Sequence, residues 1–190
     1  MKLEDEKISA IAFIDAANII YGAKKEPGFK VYLKKLAKYL RTRFGVRRAY
    51  FYGGVNTKKI NFEKYQKMLE QFGLIPRLKK TKFYSQEPRP KVFTCRFCGK
   101  KNILKERKKI RAKANCDVEL TIDALKNLRR LKEFIFLTGD GDFAPLLRLV
   151  KEAKREICVI ASSRKTAREI REIAAERFIE IKNLKKIIAK

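Results

Sequence analysis

The sequence contains no histidine, no tryptophan and no long apolar run. No stretch approaches the ~20 apolar residues that a membrane-spanning helix needs, so we expect no transmembrane segment. The chain begins MKLEDEKISAIAFIDA, which is acidic and soon enters a strand-like run, unlike a secretory signal peptide. These absences predict a cytoplasmic protein without a membrane partner.

Cysteine is also scarce: Cys95, Cys98, Cys116 and Cys158 are too few and too scattered for a secreted disulfide scaffold of this length. The stretch TCRFCGKK, which contains the first two, has the form of a zinc knuckle. A closed zinc site needs four ligands. Without histidine, the other two would come from Cys116 and Cys158, from acids, or from the same motif in a second chain. A Cys95–Cys98 disulfide and free thiols are the alternatives, and Cys158 lies in an apolar run typical of a core strand.

Acidic residues are few beside basic ones. The chain has 48 Lys and Arg against 21 Asp and Glu, a formal net charge of +27. This excess favours polyanionic partners, RNA or DNA before an anionic membrane surface. The 36% of charged residues also matches the Lys- and Glu-rich composition of heat-adapted proteins. Heat adaptation explains the number of charges but not their sign.

The 190 residues suit a single domain, 1–190. Short apolar or β-branched runs alternate with segments of helical period, which is typical of an α/β domain with a mainly parallel sheet. We predict strands at about 8–15, 47–54, 75–83, 133–139, 156–162 and 177–181, and helices at about 30–44, 57–72, 115–131, 144–154 and 165–176. Residues 84–115 break this alternation with prolines, a Cys-x-x-Cys and a dense basic run, which predicts an insertion on the domain.

Two predicted strands end in acidic residues. IAFIDAAN places Asp15 at the end of the first strand, with Asn18 three residues on, and FIFLTGDGDF places Asp140 and Asp142 after the fourth. Ligand sites of open α/β sheets lie beyond the carboxyl ends of the strands, so these carboxylates converge if the two strands are neighbours. Alternatively each Asp caps the helix that follows, and Asp142, just before Pro145, could do only that.

The segment NCDVELTIDALKNLRRL adds a third acidic position. At about 100° per residue, Asp117 lies on the core-facing stripe, whereas Glu119 and Asp123 point away from it. A carboxylate directed at the core is costly unless something pairs with it: a cation shared with other acids, or a nearby Lys or Arg. Four carboxylates, an amide and no histidine suit Mg²⁺ or Mn²⁺ rather than zinc.

These motifs resemble the NYN domain of the PIN-like nuclease superfamily. The resemblance is carried by FIDAANI, ANCDVELTIDAL and FLTGDGDFAPLLRLVKEA, and by the downstream ICVIASSRKTAREIREIAAERFIEI. It covers most of the chain except the 84–115 insertion. It implies a three-layer α/β/α sandwich with a mainly parallel sheet and a PIN-like, Rossmann-like topology.

The resemblance also implies metal-dependent RNA cleavage. The site residues it implies are Asp15, Asn18, Asp117, Asp140 and Asp142, of which the four aspartates would hold Mg or Mn. Asp123 matches an acidic position of the family pattern too, although the helical projection turns it from the core. Cys116 departs from the pattern, because the family tends to have a small aliphatic residue before the helix aspartate.

The function predicted is therefore a metal-dependent ribonuclease, a hydrolase that cleaves RNA internally. The alternative is a non-catalytic RNA- or DNA-binding protein, such as a subunit of an RNA-processing assembly. The basic run KKNILKERKKIRAKAN just before Asp117 would flank the acidic pocket, or else form a solvated loop. Tyr84, Phe93 and Phe97 would stack on unpaired bases. A homo-oligomer is compatible with the sequence, and no P-loop is present.

Overall fold

Six parallel strands form the centre of the molecule. The computed structural model describes residues 10–25, 28–86, 91–104 and 109–190. Its strands are β1 (Ala10–Asp15), β2 (Arg48–Val55), β3 (Ile75–Lys80), β4 (Lys82–Gln86), β5 (Lys91–Thr94), β6 (Lys101–Leu104), β7 (Lys109–Lys113), β8 (Glu133–Leu137), β9 (Glu156–Ala161) and β10 (Phe178–Glu180). The main sheet has the order β10-β9-β8-β1-β2-β3, and each neighbouring pair is parallel.

Helices cover both faces of this sheet. In the described ranges they are α1 (Gly22–Lys25), α2 (Leu33–Phe44), α3 (Phe62–Gln71), α4 (Asp117–Asn127), α5 (Ala144–Glu152), α6 (Arg168–Ala174) and α7 (Lys185–Ile188). A π-helical turn, Ala17–Tyr21, leads into α1. The apolar stripe of α2 is buried, and the helix ends at Gly45, whose left-handed φ of 62° glycine adopts without steric cost.

Apolar side chains from alternate strand positions form two cores. Ala10, Ala12 and Ile14 of β1 pack against α2, α3 and the C-terminal helix α7. Ile11 and Phe13 point to the other face and join the cluster of α4, α5 and α6. Because helices cover both faces, the central strands read as continuous apolar runs. This arrangement confirms the α/β/α class and the mainly parallel sheet.

The direction of winding reverses between β1 and β8. The chain runs outward from β1 to β2 and β3 on one side, and from β8 to β9 and β10 on the other. Ile14 lies opposite Leu137 in the parallel register, so the residues that follow both strands emerge at the same edge. A crevice at such a switch point is where open α/β sheets bind ligands. The neighbouring placement of the two acid-tipped strands is confirmed.

Residues 82–113, the hairpin insertion, contain two antiparallel ribbons. β4 pairs with β7, with Lys82 opposite Lys113, and β5 pairs with β6, with Thr94 opposite Lys101. Among the described residues, none from this segment belongs to either core cluster. The ribbons leave the sheet at the carboxyl end of β3, where the Thr81 amide donates to the Val55 carbonyl at 2.9 Å.

All six strands predicted for the main sheet are present, with differences at their ends. The predicted strand 75–83 ends at Lys80, because the chain there turns into the hairpin insertion. The predicted helix 57–72 begins at Phe62, because Asn61 caps it by accepting a hydrogen bond from the Lys64 amide. The predicted helix 115–131 spans only Asp117–Asn127. No helix in the described part of the chain is both long and apolar enough to traverse a bilayer.

Candidate active site

Asp15, the last residue of β1, is fixed by four hydrogen bonds. Its Oδ1 accepts from the backbone amides of Ala17 at 3.0 Å and Asn18 at 3.2 Å. Its Oδ2 accepts from Asn18 Nδ2 at 2.9 Å and from Thr138 Oγ1 at 3.2 Å. The half-buried carboxylate therefore has a defined orientation at the switch point.

Thr138 and Asn18 connect the ends of β1 and β8. Besides donating to Asp15, the buried Thr138 hydroxyl accepts from the Asp140 amide at 3.2 Å. The Asn18 Oδ1 accepts from the Gly139 amide at 3.2 Å. Asn18 thus lies beside Asp15 as predicted. Its side-chain nitrogen and its side-chain oxygen are both hydrogen-bonded to protein atoms.

Asp140, rather than Asp142, acts as a cap. Its Oδ1 accepts from the Asp142 amide at 3.1 Å and caps the 3-10 turn Gly141–Phe143 that leads into α5. Asp140 is half-buried, whereas Asp142 is exposed. The predicted alternative of a helix cap therefore applies to Asp140, which remains directed toward the crevice.

Asp117 begins α4 and carries the electrostatic signature of the site. Its amide donates to Asn115 Oδ1 at 2.8 Å. Burial raises the pKa of its carboxyl group, a separate hydrogen bond from the Asn115 side chain to that carboxyl group lowers this pKa, and the negative charges of Asp15, Asp140 and Asp142 raise it. The other three aspartates are therefore near enough to Asp117 to repel its negative charge.

The ion pairs of the described residues leave this acidic cluster out. Within the described residues, the Lys and Arg ion pairs engage other acids and none of the four aspartates. Lys79, the base beside α4, binds Glu119 Oε1 at 2.7 Å and the Asn115 carbonyl at 2.8 Å. The predicted alternative of a Lys or Arg partner for Asp117 is thus not found in the part of the chain that the structure describes.

The helical projection was wrong about Asp123. Its side chain is only 13% exposed, and its Oδ2 accepts from the Tyr52 hydroxyl at 3.1 Å and from Arg77 Nε at 2.9 Å. Burial, and then the Asp123 charge, raise the pKa of Tyr52. Because α4 packs over β2 and β3, Asp123 is half-buried as an ion-pair partner. Glu119 likewise turns toward the sheet, to Lys79.

A cleft of about 310 Å³ lies between Asp15, Asp117 and Asp140. Its walls are formed by Asp15, Ala17, Asn18, Tyr52, Gly53, Gly54, Ala112, Lys113, Ala114, Asn115, Cys116, Asp117, Leu120 and Asp140. A Cβ at Gly54 would lie 2.3 Å from the Ala114 Cβ, so the close approach of this wall to β2 requires glycine. Lys113 brings a base of the hairpin insertion to the cleft, and Asp142 lies outside its walls.

Comparison with known proteins identifies the family. The family model named NYN domain matches residues 9–182, nearly the whole chain. The chain is a member of the NYN domain family. The match confirms the resemblance carried by the sequence motifs, and membership indicates a nuclease-type function related to RNA.

Two individual proteins are similar to this NYN domain. The Low amplitude and bright protein LabA of Synechococcus elongatus is 31% identical over 78 residues, which cover 41% of this chain and 41% of that protein. The crystal structure of a protein of unknown function from Vibrio parahaemolyticus matches with a TM-score of 0.64 at 19% identity, and covers 95% of this chain and 96% of that one. The latter match confirms the fold.

The four aspartates of this NYN domain have no ion-pair partner among the described residues, but they do not form a ligand cage there either. Within the described ranges, no three Asp, Glu or Cys side chains are arranged so that they could hold a metal ion. Asp15 directs both oxygens at hydrogen-bond donors, and Asp140 directs one at a backbone amide. Like charges separate when no cation lies between them. The carboxylates therefore suit a divalent cation in their oxygen donors and in their negative charge. To coordinate an ion together, their side chains would have to rotate away from their present hydrogen-bond donors.

Sequence reasoning missed Thr138 and Asn115. Thr138 is the residue that joins Asp15 to Asp140, and its signal was its place between the β8 run and Gly139. Asn115 fixes the first turn of α4, and its signal was a capping side chain two residues before Asp117. Both act through short polar contacts that a periodic pattern does not encode.

A larger cleft, of about 430 Å³, lies away from these residues. Its walls are formed by Lys25, Gly28, Ser162, Ser163, Arg164, Glu180 and Lys182. Among its described residues the acid is Glu180, which accepts from the Ser163 amide at 2.8 Å. Because the described wall of this larger cleft holds no group of convergent carboxylates, the smaller cleft is the better candidate for chemistry.

Proposed function

We propose that this NYN protein is a metal-dependent endoribonuclease that acts on cytoplasmic RNA. One observation carries the proposal: three carboxylates that have no ion-pair partner among the described residues line a crevice, a fourth lies near Asp117, and the wall of the crevice continues into a basic hairpin. Such a crevice repels RNA phosphates unless a cation lies in it, whereas the surrounding surface attracts them. A purely structural role for the acids would instead leave them paired with the abundant Lys and Arg.

Mg²⁺ or Mn²⁺ fits the donors that are present. Asp15, Asp117 and Asp140 would hold the ion, with Asp142 close enough to add charge, because hard cations prefer carboxylate oxygens. A bound ion of this kind polarises a phosphodiester and lowers the pKa of a water nucleophile. The raised pKa of Asp117 supports this assignment, since a cation would remove the repulsion that contributes to it.

The chain's own residues prepare the site for that ion. Thr138 and Asn18 hold Asp15 at the switch point, so this carboxylate would need only to rotate there to become a ligand. Lys113 at the cleft wall would neutralise a phosphate next to the scissile bond. Tyr84 and Phe93 are exposed on the hairpin insertion, where they would stack on unpaired bases.

The second candidate is an RNA- or DNA-binding protein without catalytic activity. The absence of a three-ligand cluster among the described residues favours it. Both candidates use the basic surface, so binding alone does not separate them. Metal-dependent cleavage does.

The test is cleavage of labelled RNA pools, single-stranded and structured, with Mg²⁺ or Mn²⁺. We expect internal cleavage by the wild type and loss of roughly 100-fold or more in Asp140→Asn, since losing even an outer partner of a metal ligand costs about 10- to 100-fold. Glu152→Gln removes one exposed carboxylate at the far end of α5 and should cleave like the wild type.

Two results would reject the nuclease. One is a wild type that binds these RNAs but cleaves none of them with either metal. The other is an Asp140→Asn variant that cleaves as fast as Glu152→Gln, which would point to a contaminating enzyme.

A further inference from the structure

The tip of the hairpin insertion is a tight turn that carries two thiols. Cys95 and Cys98 lie between β5 and β6, where the Cys95 amide donates to the Lys100 carbonyl at 2.9 Å and the Gly99 amide donates to the Cys95 carbonyl at 2.9 Å. Gly99 has a φ of 68°, a left-handed conformation that glycine adopts without strain. The sequence Cys-x-x-Cys-Gly is therefore folded as a compact turn.

The thiols of this turn converge and are free. Cys95 Sγ accepts hydrogen bonds from the backbone amides of Cys98 and Phe97 and from the Cys98 thiol. Neither cysteine is in a disulfide, and Cys98 is exposed. Two free thiols that converge in one tight turn supply two of the ligands that a soft or borderline cation takes.

The pair supplies only half of a zinc site. Structural zinc takes four ligands, and this chain has no histidine. The other cysteines are not accessible, since Cys116 is 7% exposed and Cys158 is 1% exposed, each within a core cluster of the sheet. The hairpin insertion contributes no described residue to those clusters. Within one chain, these two thiols therefore lack the thiol partners that a closed site requires.

We propose that Cys95 and Cys98 bind zinc together with the same pair of a second copy, joining two chains through their hairpin tips. A two-fold axis through the metal brings identical surfaces together, so each turn supplies two of four thiolates. Arg96, Lys100 and Lys101 make each tip basic, and four thiolates around one Zn²⁺ carry a net negative charge that offsets the repulsion between the tips. This site is independent of the acidic cleft.

Exposed apolar side chains at the tip support the docking of a second chain there. Phe97, between the two cysteines, is 102% exposed. Val92 and Ile103 lie opposite each other on β5 and β6, and both are exposed. A second tip docked across the metal would cover such side chains, which gain free energy when they leave water.

The experiment is a metal titration of the full chain, purified with a reductant and stripped with a chelator. Co²⁺ is the probe, because tetrahedral cobalt thiolate absorbs in the visible, and light scattering gives the mass at each step. We expect the absorption to saturate at about one Co²⁺ for every two chains while the mass doubles, and Zn²⁺ to displace the cobalt without dissociating the dimer.

Cys98→Ser should remain a monomer without cobalt absorption, and it should melt like the wild type because the tip lies outside the core. Cys116→Ala is the matched control and should bind and dimerise normally. Saturation at one metal per chain with monomer mass would overturn the proposal, since acids of the same chain would then close the site. Absence of binding, or a dimer that persists after chelation, would overturn it as well.

Discussion

Asp117 is the residue where folding and function oppose each other. Its folded-state pKa is raised, first by burial and then by Asp15, Asp140 and Asp142. Between the unfolded and the folded pKa, the native state keeps a proton that the unfolded chain has lost, so stability falls as pH rises through this range. At neutral pH the ionised carboxylate destabilises the metal-free protein, although its position at the N-terminus of α4 offsets part of this cost.

We predict that Asp117→Asn melts at the same temperature as the metal-free wild type or higher at neutral pH, because it removes a repelling charge. The difference should shrink as the pH falls through the Asp117 pKa, where the wild-type residue gains its proton. Thermal melts across this pH range measure it. With Mn²⁺ at about 100 times its Kd, the wild type should gain about 2.7 kcal/mol. The variant should gain less, whereas a destabilised variant beside a wild type indifferent to Mn²⁺ would make Asp117 a structural residue.

We expect Asp123 to contribute to the stability of the fold and not to the binding of metal. Asp123→Ala leaves the Tyr52 hydroxyl and the Arg77 guanidinium without their shared acceptor. We predict a loss of about 1–3 kcal/mol in the free energy of unfolding, measured by urea denaturation, with the Mn²⁺ response retained. Lys126→Ala, an exposed change on the same helix, should stay within about 0.5 kcal/mol of the wild type. Full stability combined with lost cleavage would instead place Asp123 in the active site.

At the scale of the element, the hairpin insertion is an arm attached to an independent core. Residues 83–112 contain ten Lys and Arg against two Glu. They contribute no described residue to either core cluster, and Lys82 lies opposite Lys113 where the arm begins. A two-residue Asn-Gly turn fits between these paired positions, because it matches the twist of an antiparallel pair.

We predict that replacing residues 83–112 by Asn-Gly weakens RNA binding at least about tenfold while the core still unfolds cooperatively. The slope of log affinity against log salt should become shallower by about 0.7 for each phosphate that the protein no longer neutralises. Fluorescence anisotropy at several salt concentrations measures the affinity and the slope, and a thermal melt measures the cooperativity of unfolding. The Mn²⁺ stabilisation should survive, because the carboxylates lie outside the arm. Loss of cooperative unfolding would instead give the arm a structural role.

At the scale of the whole molecule, the net charge of +27 governs association. We predict that log affinity for RNA falls linearly with log salt, because each neutralised phosphate releases condensed counterions. If six to ten phosphates are neutralised, the affinity should fall roughly 10³- to 10⁵-fold between about 50 and 200 mM salt on duplex nucleic acid, and less steeply on single strands. An affinity that stays flat over this range would show that other interactions dominate binding.

The sequence by itself determined the parallel α/β/α sheet and the position of Asp15, Asn18, Asp117 and Asp140 at one edge of it. These outcomes depend on local periodicity and on where each acid follows its strand or begins its helix. In a parallel sheet, the carboxyl ends of neighbouring strands meet by geometry. The short apolar runs and the helical stripes that follow them are therefore enough to place such residues.

Only the tertiary structure decided which charges were paired. Asp123 is bound by Tyr52 and Arg77, which come from strands distant in sequence, so a projection of α4 alone placed it wrongly. Thr138 became the link between Asp15 and Asp140 because β1 and β8 pair across more than a hundred residues of chain. The packing of separate elements over one another decides which charges are paired. The order of residues along a single element does not contain that information.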